Sequence, residues 1–333
     1  MTHTQAIEIA GWLSDNQTLL ITRRNPLQPS EAIETFNVQT GNIVLYGERR
    51  DFDGFKPIWL ESEQAILYLD SEVNGSIVLR KIFIPNQLPF DLITNLNYSD
   101  ISVSPNEQQL VFFTEIEKEQ ADFSNLSINQ SLGQITLPPP KELSRVSQRE
   151  FRSVWSPDGN RIAFYRNPNF YLVDIPTNQV CEVTFQGFAS WAIDAKWSPN
   201  GRFIAMITTS SSNTPLQASM LSILDTITGE FSTYNVFPGN NPGQYFVEDI
   251  TWEPNSRFLA VIAAYHNQTI ERGLFLVDSF LGDIRQILPG NNFGGGIWTN
   301  QLDWSDDGSR IAINCPVSTE GRICLTTVSI NNQ

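Results

Sequence analysis

Seven times along the chain, an anchor residue is followed by a four- or five-residue turn and a short apolar run. The clearest copies are "VWSPDGNRIAFY" from 154, "AKWSPNGRFIAMIT" from 195, "ITWEPNSRFLAVIA" from 250 and "LDWSDDGSRIAINC" from 302. Weaker copies precede them: "AGWLSDNQTLLITR" from 10, "PIWLESEQAILYLD" from 57 and "ISVSPNEQQLVFFT" from 101. The anchors are Trp12, Trp59, Val103, Trp155, Trp197, Trp252 and Trp304, spaced by 47, 44, 52, 42, 55 and 52 residues. No convincing long amphipathic helix interrupts the pattern.

Each unit reads as four short strands. The first ends at the anchor. Proline then pre-sets φ and Asp or Asn with Gly supplies a tight bend. Apolar runs such as "RIAFY", "RFIAMI" and "RFLAVI" read as buried second strands. Runs such as "FYLVDI", "MLSILDT" and "LFLVDS" supply third strands, and turns such as "ITGE" lead to a fourth. A period of ~40–50 residues with several strands per unit is that of propeller blades. The expectation is therefore an all-β chain, 1–333 as a single domain: a seven-bladed propeller of four-stranded antiparallel blades. The last blade has room for three strands; a short N-terminal strand could supply its fourth, and an open three-stranded blade is preferred.

The repeat disposes of one apparent active site. Ser156 beside Asp158 looks like a reactive pair, but it recurs as Ser198 with Asn200, Glu253 with Asn255, and Ser305 with Asp307. A catalytic pair would not be copied with its acid replaced by an amide. The structural reading is that Trp155, Trp197, Trp252 and Trp304 pack between neighbouring blades while Pro157 and Gly159 shape the bend. The aromatic-Ser-Pro-Asp-Gly turn, with its following basic residue and Ile-Ala-Phe-like strand, resembles the WD-repeat-like blades of the TolB-type propeller family. The resemblance implies a propeller and a binding or scaffold role. TolB is similar in having a propeller, but it has six blades behind an N-terminal α/β domain that has no counterpart here, so its partners do not transfer.

Composition narrows the partners. The formal net charge is −15, with 36 acidic against 21 basic residues, which disfavours phosphate backbones and anionic lipids. Nucleic acid is not expected as a partner, and no run approaches the ~20 apolar residues of a membrane span. No signal peptide is visible. The chain reads either as cytoplasmic or as the mature form of a periplasmic or extracellular protein, the latter preferred. Three cysteines make no disulfide framework, yet Cys315 and Cys324 would face each other across a hairpin whose tip is 318–321.

Antiparallel order puts the short turns at one end of each blade and the longer connections at the other. Three late connections, 185–194, 237–249 and 289–301, combine Gly and Asn or Gln with aromatics. They make Phe188, Trp191, Tyr245, Phe246, Asn291, Asn292, Phe293 and Trp298 the candidate contacts for a protein, peptide or glycan, since aromatics give area and amides give paired donors and acceptors. Trp191 and Trp298 are the two tryptophans outside the repeat anchor. The bland reading is that these rings fold inward and fill gaps between blades. Asp100, Asp194 and Asp249 recur three residues before an anchor, as candidates for a channel mouth or as caps of strand starts.

Enzymatic chemistry finds few carriers. Only His3 and His266 are present, too few for a multi-histidine metal centre. No G-x-S-x-G elbow or phosphate loop occurs. "DSEVNGSIVLRK" from 70 starts like a calcium loop but ends in Lys81 where a bidentate Glu is required. No catalytic residue, metal or cofactor is assigned. The leading expectation is a non-enzymatic binding domain. The alternatives are a carbohydrate-active hydrolase or lyase using channel-mouth carboxylates, and a structural module of a larger exported protein.

Overall fold

The computed structural model describes residues 6–24, 30–50, 55–84, 88–96, 101–112, 120–125, 131–136, 151–166, 169–184, 191–209, 219–236, 245–266, 270–289, 301–314 and 323–328. Every described element is a β-strand. The first sheet runs β1 (Ala6–Trp12), β2 (Thr18–Arg24), β3 (Ser30–Asn37), β4 (Ile43–Arg50), and the second β5 (Ile58–Leu60), β6 (Ala65–Ser71), β7 (Ile77–Phe83), β8 (Phe90–Leu96). The third holds β9 (Ile101–Val103), β10 (Gln109–Phe112), β11 (Gln120–Asn125) and β12 (Ser131–Thr136). The fourth holds β13 (Phe151–Trp155), β14 (Arg161–Arg166), β15 (Asn169–Asp174) and β16 (Gln179–Val183). The fifth holds β17 (Trp191–Trp197), β18 (Phe203–Thr209), β19 (Ser219–Asp225) and β20 (Phe231–Tyr234). The sixth holds β21 (Tyr245–Trp252), β22 (Phe258–His266), β23 (Ile270–Asp278) and β24 (Ile284–Pro289). In all six, strands pair with their sequence neighbours, antiparallel, as in a β-propeller blade.

The seven-bladed expectation is corrected here. Among the described residues six four-stranded blades are complete, and the repeat at Trp304 forms a three-stranded sheet, β25 (Leu302–Trp304), β26 (Arg310–Asn314) and β27 (Ile323–Thr327). β1 is the first strand of its own blade, paired with β2, and the residues before it, where a closing fourth strand was expected as an alternative, lie outside the described residues.

The chain divides into two compact units, 1–134 with 303–333, and 135–302. Within the first, the opening and closing repeats pack together. Trp12 donates its backbone N–H to Asp303 Oδ2 at 3.0 Å and its indole N–H to the Asp303 carbonyl at 3.2 Å. Asn314 Nδ2 donates to the Ile7 carbonyl, over a cluster of Ile9, Leu19, Ile21 and Ala312. In the second unit the same indole device recurs: Trp197 Nε1 donates to Val154 O at 3.1 Å, and Trp252 Nε1 to Lys196 O at 3.0 Å. Each indole thus reaches the carbonyl one residue before the preceding anchor. This satisfies a carbonyl on the preceding repeat while burying the ring, which leaves Trp197 and Trp252 only 8% and 6% exposed.

The turns explain the motif. In the fourth repeat Ser156 Oγ donates to Asp158 Oδ1 and accepts the Arg161 N–H at 2.9 Å. Ser198 with Asn200 and Phe203, and Ser305 with Asp307 and Arg310, repeat this clasp. Ser104 with Asn106 and Gln109 does so too. Burial works to raise the pKa of Asp158, and the hydrogen bonds from Ser156 and Asn160 outweigh it, so the carboxyl sits below its ordinary value. One residue of each turn lies in the left-handed region, where Gly is favoured: Gly159, Gly201 and Gly308, with φ of 71°, 70° and 72°. The residue after the turn also has a task. Arg202 and Arg257 pair with Asp225 and Asp278 from the third–fourth strand turns of their own blades. The Arg161 guanidinium lies 4.9 Å over the Trp197 ring and donates to the Gly201 carbonyl at 2.9 Å.

Cys324 is disulfide-bonded, whereas Cys181 is free and exposed. Cys315 lies outside the described residues. The hairpin register differs from the expected one: among the described residues Cys324 stands opposite Ile313 and Ile323 opposite Asn314. The pairing is offset by two residues from that of a tip at 318–321.

Candidate functional site

Two places concentrate chemistry. The first is the long-connection end of the fifth and sixth blades. Trp191 opens β17 and Tyr245 opens β21, at matching ends of neighbouring first strands. Phe188, Asn291, Asn292, Phe293 and Trp298 lie outside the described residues, as does Asp100. Phe246 is buried at 2% exposure, in a cross-strand row with Ala264 and Arg272. It supports the strand from within and offers no surface for contact.

Just below these strand openings, both β17 and β21 carry a β-bulge. The register skips Ile193 in one and Glu248 in the other. A bulge turns the extra side chain out of the regular alternation. In β21 this directs Glu248 inward, where its Oε1 accepts Arg272 Nε at 3.0 Å in a pair almost wholly out of water, with side chains 0% and 6% exposed. Arg272 Nη2 is buried with no hydrogen-bond partner. Such a pair is tolerated because each charge neutralises the other, and removal of one partner is expensive.

The acidic residues of this end are absorbed by the fold. Asp249 Oδ1 accepts the Ile250 N–H at 2.8 Å and Lys196 Nζ at 3.3 Å, while Oδ2 accepts the Leu302 N–H at 2.9 Å. Lys196 Nζ also donates to the Ile250 carbonyl. Asp194, half-buried, accepts the Ala195 N–H at 2.9 Å. Asp249 thus caps the start of β25, whereas Asp194 holds a backbone N–H within its own strand. Among the described residues, no three His, Cys, Asp or Glu gather closely enough to hold a metal ion.

The second place, which the sequence reading missed, lies at the short-turn end of the first and second blades. Leu13, Thr18, Thr35, Asn37, Thr40, Asn42, Val44, Tyr46, Trp59, Gln64 and Ile84 line a groove of about 430 Å³. All lie in one compact unit. Its floor is the cluster of Leu20, Ile33, Ile66, Tyr68 and Ile82, against which Leu13, Tyr46, Trp59 and Ile84 pack. Burial, then the Asp70 carboxylate, push the Tyr68 hydroxyl up to about 12, so this phenol stays neutral at any ordinary pH.

A family model, the N-terminal region of dipeptidyl peptidase IV, matches residues 121–226. No curated protein matches the chain. Among solved structures, TolB from Acinetobacter baumannii is 18% identical with a TM-score of 0.56, over 82% of this chain. The chain spans 63% of that TolB chain's length. The fold is that of a β-propeller. An oligogalacturonate lyase in complex with manganese superposes with a TM-score of 0.69 at 11% identity, covering 96% of this chain and 88% of its own. A WD-repeat-like neighbour, the Cps50 (Swd1) propeller domain of Myceliophteria thermophila, gives 0.63 at 11% identity and covers 98% of both chains. A chain of a mitotic checkpoint complex gives 0.62 at 11% identity, covering 99% and 92%. At these identities the likeness is one of fold, and function has to be read from the site.

Proposed function

We propose that this propeller, acting as one domain, is a non-enzymatic recognition module that holds a polypeptide at the long-connection end of its fifth and sixth blades. Trp191, Tyr245 and Trp298 are its aromatic contacts, and the Asn and Gly residues of 289–301 adapt around the partner. The observation that carries this reading is the commitment of Asp249. Both of its oxygens cap strands or pair with Lys196. An acid–base mechanism needs carboxylates poised toward substrate. Rigid aromatics with short amides are what a recognition surface uses. That one structural neighbour belongs to a multiprotein complex agrees with a polypeptide partner. In the same reading Cys315 is the disulfide partner of Cys324, which suits an oxidising compartment.

The test is selection from a displayed random peptide library with the intact chain, followed by affinity measurement on the Trp191→Ala, Trp298→Ala double variant. The reading predicts at least a tenfold loss of affinity with an unchanged melting temperature. Equal affinity in the double variant removes these residues from the site.

A further inference from the structure

We infer that the groove between the first and second blades is a binding site for a neutral saccharide. The inference is independent of the polypeptide site above. It rests on how the two aromatic walls reach their positions.

Trp59 occupies the anchor position of the second repeat, yet its indole does not make the bond seen at Trp12, Trp197 and Trp252. Its Nε1 donates to Glu61 Oε2 in its own turn at 2.6 Å. The ring stays half-buried and forms a wall of the groove. Its plane is held by a chain of supports. Gln64 Nε2 donates to the Glu61 carbonyl at 3.0 Å and to its carboxylate at 3.1 Å. Glu107, from the next repeat, accepts the backbone N–H groups of Glu61 and Ser62 at 2.9 and 2.8 Å. With the N–H engaged, what the ring can offer a ligand is its carbon surface.

Tyr46 reaches the groove through a second irregularity. In β4 the register passes from Leu45 opposite Glu34 to Gly47 opposite Ile33, so Tyr46 is the extra residue of a β-bulge. Its hydroxyl lies 3.2 Å from Thr35 Oγ1. Asn37 Nδ2 donates to Thr18 Oγ1 at 3.3 Å. These contacts are at the long end of the hydrogen-bond range, so a ligand hydroxyl can share or replace them. Leu13 comes from a third departure: it holds the position after the anchor, which is serine in the repeats from Trp155, Trp197 and Trp304.

The lining specifies the ligand class. Its described residues combine hydroxyls and carboxamides with an indole, and no charged side chain is among them. Phosphates and carboxylates find no cation among these residues. An aromatic platform with neutral two-way hydrogen-bonding groups suits the apolar C–H face and equatorial hydroxyls of a pyranose ring. The volume lies within the roughly 300–1,000 Å³ of small-ligand clefts, enough for one or two sugar rings.

The experiment is titration of the intact protein with glucose, galactose, cellobiose, maltose and galacturonate, followed by indole fluorescence and ligand-observed NMR. At least one neutral sugar should bind with a millimolar or tighter Kd, and galacturonate at least tenfold more weakly. Trp59→Ala should weaken that binding at least tenfold, and Trp59→Phe less. Should Trp59→Ala fail to fold, Tyr46→Phe, which removes one hydroxyl and keeps the ring, should still weaken binding severalfold. The proposal is overturned if no neutral sugar binds, if galacturonate binds best, if the Trp59 and Tyr46 variants bind as the parent does, or if the groove takes an apolar peptide in place of any sugar.

Discussion

The repeats anchored at Trp197 and Trp252 and the repeats anchored at Trp12 and Trp59 start from one pattern and end differently. In the former, the indole is buried and bonded to the preceding repeat, and at Trp197 a serine clasp closes the turn. In the first repeat, Leu13 stands where the clasp serine would be, and Asp15 closes the turn by accepting the Thr18 N–H at 2.7 Å. In the second, the indole is turned into its own hairpin and its ring is left accessible. The regular repeats spend their chemistry on holding strands together. The two early ones release Leu13, Tyr46 and Trp59 to line a groove. Departures from local consistency are where function is expected to collect in an otherwise regular fold.

This contrast can be broken by measurement. Trp252→Ala should be the most damaging change, costing about 3–5 kcal/mol, as for a large buried aromatic. A chemical denaturation midpoint close to that of the parent would show that the indole bond and burial are not structural. Ser198→Ala should cost about 1–3 kcal/mol, because the Phe203 N–H loses its acceptor in a buried turn. Trp59→Ala should cost only about 1–2 kcal/mol, since the ring is already half in water. A loss equal to that of Trp252→Ala would place Trp59 among the structural anchors and erase the distinction.

The smallest effect concerns acid. The Arg202 hydrogen bond holds the Asp225 carboxyl below its ordinary value, with help from the Ile227 and Thr228 N–H groups. A group whose folded pKa is depressed contributes stability that is full above the unfolded value of roughly 3.9 and is lost as pH falls through the folded one. Asp225→Asn should therefore reduce stability at neutral pH and flatten its decline below about pH 4. Melting temperatures recorded down to pH 3 for parent and variant check this, and parallel curves would contradict it.

Much of this architecture was legible in the sequence. The turn motif at 154–165 fixes a bend through local chemistry, Ser156 clasping Asp158 and Gly159 taking positive φ, so it announces itself at each copy. The third strands in "FYLVDI", "MLSILDT" and "LFLVDS" were legible because continuous apolar runs bounded by turn residues have few other readings. The strand-capping role of Asp249 was anticipated as one of two readings. The groove was not legible, because it depends on a bulge at Tyr46 and on a diverted indole, and neither leaves a local pattern. The register of β26 with β27 was misjudged by two residues, since the turn type that sets it cannot be read from "PVSTEGRI" alone. The count of seven came from the seven anchors; the last of them, Trp304, heads only three described strands, so six four-stranded blades are formed among the described residues.

The central claim, that polypeptide recognition sits at the long connections and apart from the Trp59 groove, is most directly tested with one ligand and three proteins. A peptide selected on the parent should be titrated against the parent, the Trp191→Ala, Trp298→Ala double variant, and Trp59→Ala. The account predicts at least a tenfold loss in the double variant and an unchanged Kd in Trp59→Ala. Retention by the double variant together with loss in Trp59→Ala would contradict it.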